Sequence, residues 1–142
     1  MRGSKEDLPL AEVYGEDFRS HQVEWAGMIV EISSFPAGVD AAPIFKGLPE
    51  DMCQSLHWGY VLKGRMRMRY KDREEVIGDV YYLEPGHVPY IEEDTELVEF
   101  SPKGEYEKTL EVVARNMAAM WRKASKAKLL RAYEEGPCRE SP

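Results

Sequence analysis

The stretch His57–Phe100 constrains this chain most. Short runs of β-branched, aromatic and aliphatic residues are cut there by Gly and Pro at spacings of roughly 8–12 residues, too short for helices and well suited to strands. Gly64, Gly78-Asp79 and Glu84-Pro85-Gly86 are the turn signals. Between the first two, Arg65-Met66-Arg67-Met68-Arg69-Tyr70 alternates, with Met66, Met68 and Tyr70 on one side and the three arginines on the other. Lys71-Asp72-Arg73 then forms a hairpin tip, Glu74–Ile77 a return strand, and Val80–Leu83, Val88–Ile91 and Thr95–Phe100 three further strands. Such a series predicts an all-β sandwich or barrel.

Upstream, Met28–Phe35 reads as a strand closed by Pro36-Ala37-Gly38. Asp40–Lys46 is expected to be a short strand or extended piece, and Gly47–Asp51 a loop. In His57–Leu62, one alternating set is His57, Gly59 and Val61; the other is Trp58, Tyr60 and Leu62. A strand so poor in polar residues on either side is expected to be covered on both faces, by a helix or by a partner chain. Residues 1–22 are mixed and polar, an arm whose Leu8-Pro9-Leu10 and Val13-Tyr14 would lie along an edge of the barrel.

After Ser101-Pro102 the period changes. Leu110, Val113, Met117, Met120, Ala124 and Ala127 recur at steps of three and four, a helical seam. Acids precede bases along it, as the helix dipole favours. A long helix is predicted from about Glu105 to about Glu134, stopped by Gly136-Pro137. The expected organisation is an arm (1–22), a barrel (23–102), a helix (103–135) and a tail (136–142). A stripe that long needs a surface, either the barrel wall or the same helix of a second subunit, so a homodimer is expected.

The net charge of −7 speaks against a general nucleic-acid binder. The charge is uneven: Lys103–Arg131 carries eight bases and three acids, a balance of +5, which leaves −12 for the remainder. No run approaches the roughly 20 apolar residues of a membrane span, and the polar N-terminus lacks the apolar core of a signal peptide. Cys53 and Cys138 stand in unlike settings, one central and one in the polar tail, which points to a reducing, cytoplasmic protein without a disulfide framework.

Two runs carry a family resemblance. Tyr60-Val61-Leu62-Lys63-Gly64 is similar to the end of the first motif of the cupin superfamily, G-x5-H-x-H-x3,4-E-x6-G. Gly78-Asp79-Val80-Tyr81-Tyr82-Leu83-Glu84-Pro85-Gly86 resembles the second, G-x5-P-x-G-x2-H-x3-N. The resemblance spans about residues 25–101 and implies an antiparallel β-barrel of jelly-roll type around a small-molecule cavity. Many cupins are metal-dependent oxygenases, isomerases, epimerases or cyclases, whereas others only bind or sense ligands. The ligand positions are substituted here. Counting back from Gly64, His57 stands at the place of the family's glutamate, and Asp51 and Cys53 at those of its two histidines. Pro89 takes the place of the fourth ligand, with His87 two residues before it, and Glu84 replaces the usual proline.

Asp51, Cys53, His57 and His87 are therefore the candidate metal ligands. Thiolate and imidazole together suit a borderline or soft divalent ion, zinc or iron before others. The same Cys53-x3-His57 pair also reads as a buried thiol beside a backbone-satisfied histidine, or as a thiolate nucleophile activated by imidazole. Glu84 and Tyr82 are the candidates for proton transfer or substrate contact; Tyr81 and Tyr82 must point to opposite sides of their strand, so one at most meets the cavity. Arg65, Arg67 and Arg69 form a solvated face, with anion binding the lesser reading. No nucleotide or flavin signature is visible. The expected function is a small metal-binding cupin acting on a small organic molecule. The alternatives are a metal-free ligand-binding module and a purely structural dimerisation domain.

Overall fold

A computed structural model describes residues 1–14 and 18–134, with the side chains of residues 11–14, 132 and 133 outside the description. The chain runs β1 (Leu10–Tyr14), β2 (Phe18–Trp25), β3 (Met28–Phe35), two 3-10 turns (Ala42–Phe45 and Pro49–Asp51), β4 (His57–Lys63), β5 (Met66–Arg69), β6 (Glu74–Ile77), β7 (Val80–Leu83), β8 (Val88–Ile91), β9 (Thr95–Pro102) and α1 (Lys103–Glu134). Six strands form one sheet in the order β1-β2-β3-β9-β4-β7, and β6-β5-β8 form the second; neighbours in both are antiparallel.

The two sheets share a core. Val61, Tyr81, Leu83 and Leu97 from the large sheet meet Met66, Met68, Ile77 and Ile91, which belong to the small sheet or its edge strands. The alternation of β5 is realised as read: Met66 and Met68 are buried, while Arg65 and Arg67 pair outward with Glu92. Gly64 turns at φ +87°, with the Asp94 carbonyl where a Cβ would stand, so a side chain is doubly disfavoured there.

Three sequence expectations change. Residues 40–46 are not a strand: Pro43 sits in the first turn of a 3-10 helix, and only the two ends make isolated bridges, Asp40 to Tyr90 and Lys46 to Leu48. The arm is more than an edge segment, because β2 pairs with β3 from Arg19 to Trp25, on both sides of the boundary drawn at residues 22/23. Its polar alternation, Phe18-Arg19-Ser20-His21-Gln22, concealed it. Third, the described residues cover β4 on one face only, so the helix is not its second layer. His57, Gly59 and Val61 point inward, while Trp58, Tyr60 and Leu62 are 42–54% exposed.

The N-terminal residues cover another part of that outer face. Leu8 is buried, its carbonyl contacts His21 Nδ1 at 3.1 Å, and Lys5 bonds Ser34 and Glu96. The helix α1 leaves β9 without a linker and packs its first half on the 42–45 turn, β3 and β9. Tyr106, Thr109 and Val113 are buried, and Asn116 Nδ2 donates to the carbonyls of Ile44 (2.8 Å) and Lys46 (2.7 Å). From Ala118 to Arg131 every residue is exposed; of the second half of the predicted stripe, Met120 reaches the cavity rim, and Ala124 and Ala127 meet no surface among the described residues. The predicted stop at Gly136-Pro137, the tail and Cys138 lie outside the described residues.

Candidate metal centre and cavity

Three of the predicted ligands come together. The donor atoms of Cys53, His57 and His87 lie within 4.8 Å of one another, and all three residues are buried. Local backbone geometry brings this about. Cys53 and His87 form an isolated antiparallel bridge: Cys53 N donates to the His87 carbonyl (3.0 Å), and Gly86 N donates to the Cys53 carbonyl (2.7 Å). His57 opens β4 on its inward face, and its Nε2 lies 3.4 Å from Cys53 Sγ.

Both imidazoles are held from behind. His57 Nδ1 lies 2.6 Å from Ser101 Oγ and 3.0 Å from Glu99 Oε1. His87 Nδ1 lies 2.6 Å from the Glu84 carbonyl, an acceptor that fixes the proton on Nδ1. The remaining nitrogen of each ring, Nε2, is left for the thiol side. Histidine ligands are commonly oriented this way, with a carboxylate or carbonyl behind the ring.

Burial alone would raise the Cys53 thiol; hydrogen bonding to His57 and His87 and their charge outweigh it and bring it down to about 6. Burial opposes the imidazolium of His57, but the Glu99 charge and the bonds to Cys53 and Glu99 raise it to about 10. Without metal, the pair is therefore a thiolate beside an imidazolium at neutral pH.

The remaining predicted residues stand apart. Asp51 is exposed, at φ +56°, and its Oδ1 accepts from Gly47 N (2.8 Å), which spends the side chain on its own turn. The Glu84 carboxylate points outward to Arg73 (3.0 Å); only its carbonyl serves the site. Tyr82 is on the solvent side of β7, stacked on Trp58 with centroids 5.4 Å apart. The strand's parity sends Tyr81 inward instead. Arg65, Arg67 and Arg69 are engaged with acids on the surface.

In their place the fold supplies a buried polar row that sequence reasoning missed. Gln22, Glu31, Glu99, Gly59 and Tyr81 are consecutive register partners across β2, β3, β9, β4 and β7. Tyr81 reaches across Gly59 to donate to Glu99 (2.7 Å). Glu31 accepts from Ser33 (2.6 Å), Gln22 (2.8 Å) and Tyr106 of the helix (2.6 Å). Burial and the facing Glu99 push the Glu31 carboxyl up. Burial would raise Glu99 too, but His57 and the bonds it receives hold it down. The available signal was an acid within an apolar strand, Ile29-Val30-Glu31-Ile32 and Leu97-Val98-Glu99-Phe100.

These groups open on a cavity of about 430 Å³ between the sheets and the helix. Its wall is largely apolar, with Phe18, Phe35, Met68 and Leu97 among its residues, and Cys53, His57, His87, Glu31 and Glu99 as polar groups. A pocket of this size with few convergent polar groups suits a small organic ligand.

No protein-family model and no curated protein sequence matches the chain. Solved structures do match. The EutQ protein of Salmonella typhimurium LT2 aligns at a TM-score of 0.51 and 9% identity over 71% of this chain and 85% of its own. The iron(II) form of HppE aligns at 0.50 and 11% identity, covering 71% and 59%. Oxalate decarboxylase aligns at 0.50 and 14% identity, covering 72% and 29%, so the chain spans less than two thirds of the last two. All three are cupin proteins, and the present chain has the cupin fold. Among the described residues no helix is long and apolar enough to cross a membrane.

Proposed function

We propose that this chain is a small metal-binding cupin acting on a small organic molecule held in the 430 Å³ cavity. The observation that carries the reading is the convergence of Cys53, His57 and His87, with each imidazole backed on Nδ1 and its Nε2 left on the thiol side. The donor set fits a divalent ion: one thiolate and two imidazoles suit zinc or iron(II), and a fourth position is left for water or ligand. HppE, a fold neighbour, has been solved with iron(II). A bound ion would supply Lewis-acid polarisation or activation of a small oxygen species. The chain's own residues orient His57 through Glu99 and Ser101, exclude bulk water through the helix, and place the carboxyl of Glu31 on the cavity wall.

Metal analysis of protein purified without added metal is the deciding experiment. A stoichiometric ion that is lost in Cys53→Ala, His57→Ala and His87→Ala is the expected result. Protein that stays metal-free after incubation with Zn²⁺, Fe²⁺, Mn²⁺ and Ni²⁺ overturns it. One observation favours a second reading, a metal-free binding module: the Cys53–His57 contact already satisfies both groups as an ion pair.

A further inference from the structure

The outer face of the large sheet carries a second feature, independent of the cavity. Phe100, Trp58 and Tyr82 are register partners across β9, β4 and β7. Val98, Tyr60 and Val80 form the next row across the same strands. Leu62 extends the array along β4. The result is a block of seven apolar side chains in register, with no charged residue inside it. Six of the seven are 40–73% exposed. Among the described residues the N-terminal segment lies over β2 and β3 and is bonded to β9 at Glu96, beside the block, and α1 packs elsewhere. β7 is also the last strand of the sheet, so the block reaches an open edge.

We infer that this face is the contact between two copies of the chain, packed face to face about a two-fold axis near Tyr60. Aromatic side chains of this size left half exposed each offer on the order of 100 Å². The four exposed aromatics, Trp58, Tyr60, Tyr82 and Phe100, therefore present roughly 400 Å² per copy, and Leu62, Val80 and the rim bring the face toward the ~800 Å² per partner of a standard interface. Contiguous apolar patches above a few hundred Å² mark interaction sites on soluble proteins. A second copy fits best because an uncharged face meets itself without like-charge repulsion, whereas each chain carries a net charge of −7 elsewhere. The two rows also explain why β4 has apolar residues on both sides: one set fills the cavity side, and the other is covered only by association.

Sedimentation and light scattering at micromolar concentration test the inference. The full chain is expected at twice its 16.3 kDa. Tyr60→Glu and Val80→Lys, each on an exposed side chain, are expected to run at 16.3 kDa with unchanged circular dichroism. Trp121→Lys and Leu130→Lys, on the projecting half of the helix, are expected to leave the dimer intact. A monomeric parent protein overturns the proposal. So does a dimer that survives both sheet substitutions, or one that the helix substitutions dissociate instead.

Discussion

Tyr81 donates to Glu99 across the backbone of Gly59, the residue that separates them in the sheet. A Cβ at position 59 would stand 2.4 Å from the Tyr81 ring and hydroxyl and 2.6 Å from the Val98 carbonyl. The missing side chain is what lets a phenol from β7 hold a carboxylate on β9, and that carboxylate in turn holds His57.

Gly59→Ala is therefore expected to destabilise the protein by about 2–3 kcal/mol, as overpacking against backbone does. Urea unfolding measures it. Tyr81→Phe removes the bond without the clash and should cost less, about 1–2 kcal/mol. If the alanine variant is as stable as the parent, the packing argument fails.

Metal loading must displace the proton that His57 carries. With His57 raised to about 10 and Cys53 lowered to about 6, the metal-free site at pH 8 holds a thiolate and an imidazolium. Binding of Zn²⁺ should release about one proton at pH 8, rising toward two below pH 6, where the thiol is also protonated. Apparent affinity should rise about tenfold per pH unit between 6 and 10. Calorimetry in buffers of different ionisation enthalpy counts the protons. At a free Zn²⁺ concentration 100 times Kd, stability should increase by about 2.7 kcal/mol, and His87→Ala should abolish the gain.

Glu31 and Glu99 face each other in register yet should respond oppositely to neutralisation. The Glu31 carboxyl is raised, so its ionisation opposes folding: its penalty is absent below the ordinary value of 4.5 and grows as pH rises through the folded one. Glu99 is lowered, so its contribution is present above 4.5 and lost as pH falls through its folded value. At pH 8, Glu31→Gln is expected to match or exceed the parent in stability. Glu99→Gln should lose about 3 kcal/mol by stranding the charge on His57. Thermal unfolding at pH 5 and pH 8 decides; a stable Glu99→Gln protein would contradict the pairing.

How much of this was legible in the sequence depended on the range of the interaction. The β5 alternation and the Gly and Pro turns are local, and the strands from β4 to β9 fell where they predicted. The meeting of Cys53 and His57 was legible from motif spacing, whereas His87 stands two residues before the motif's place, Pro89, and was reached only by strand parity. Asp51 and Glu84 were misplaced because a turn side chain can bond its own backbone or a surface arginine, which spacing does not reveal. Tyr82 falls on the solvent side because of the register between β4 and β7, which pairs inward-facing Gly59 with Tyr81 and is not visible in the sequence. Glu31, Glu99 and Tyr106 meet only through pairing between strands and helix far apart in sequence. The helix itself was read from its period, but its period did not say that packing ends after Met117.

That limit yields a final prediction. Asn116 is the last strong anchor of α1, with both its donors on carbonyls of the 42–48 region. Beyond it, among the described residues, only Met117 and Met120 still reach the cavity, and a helical segment so nearly isolated is marginal in water. Amide exchange should show slow exchange through Val113 and fast exchange from about Ala118 onward. Asn116→Ala strands two acceptors and should cost about 1–3 kcal/mol while moving the boundary of fast exchange toward the N-terminus of the helix. Because α1 walls the cavity through Tyr106, Thr109 and Val113, the same variant should also weaken ligand retention without altering metal content. Loss of metal in Asn116→Ala would instead mean that the helix holds the Cys53–His57–His87 cluster together.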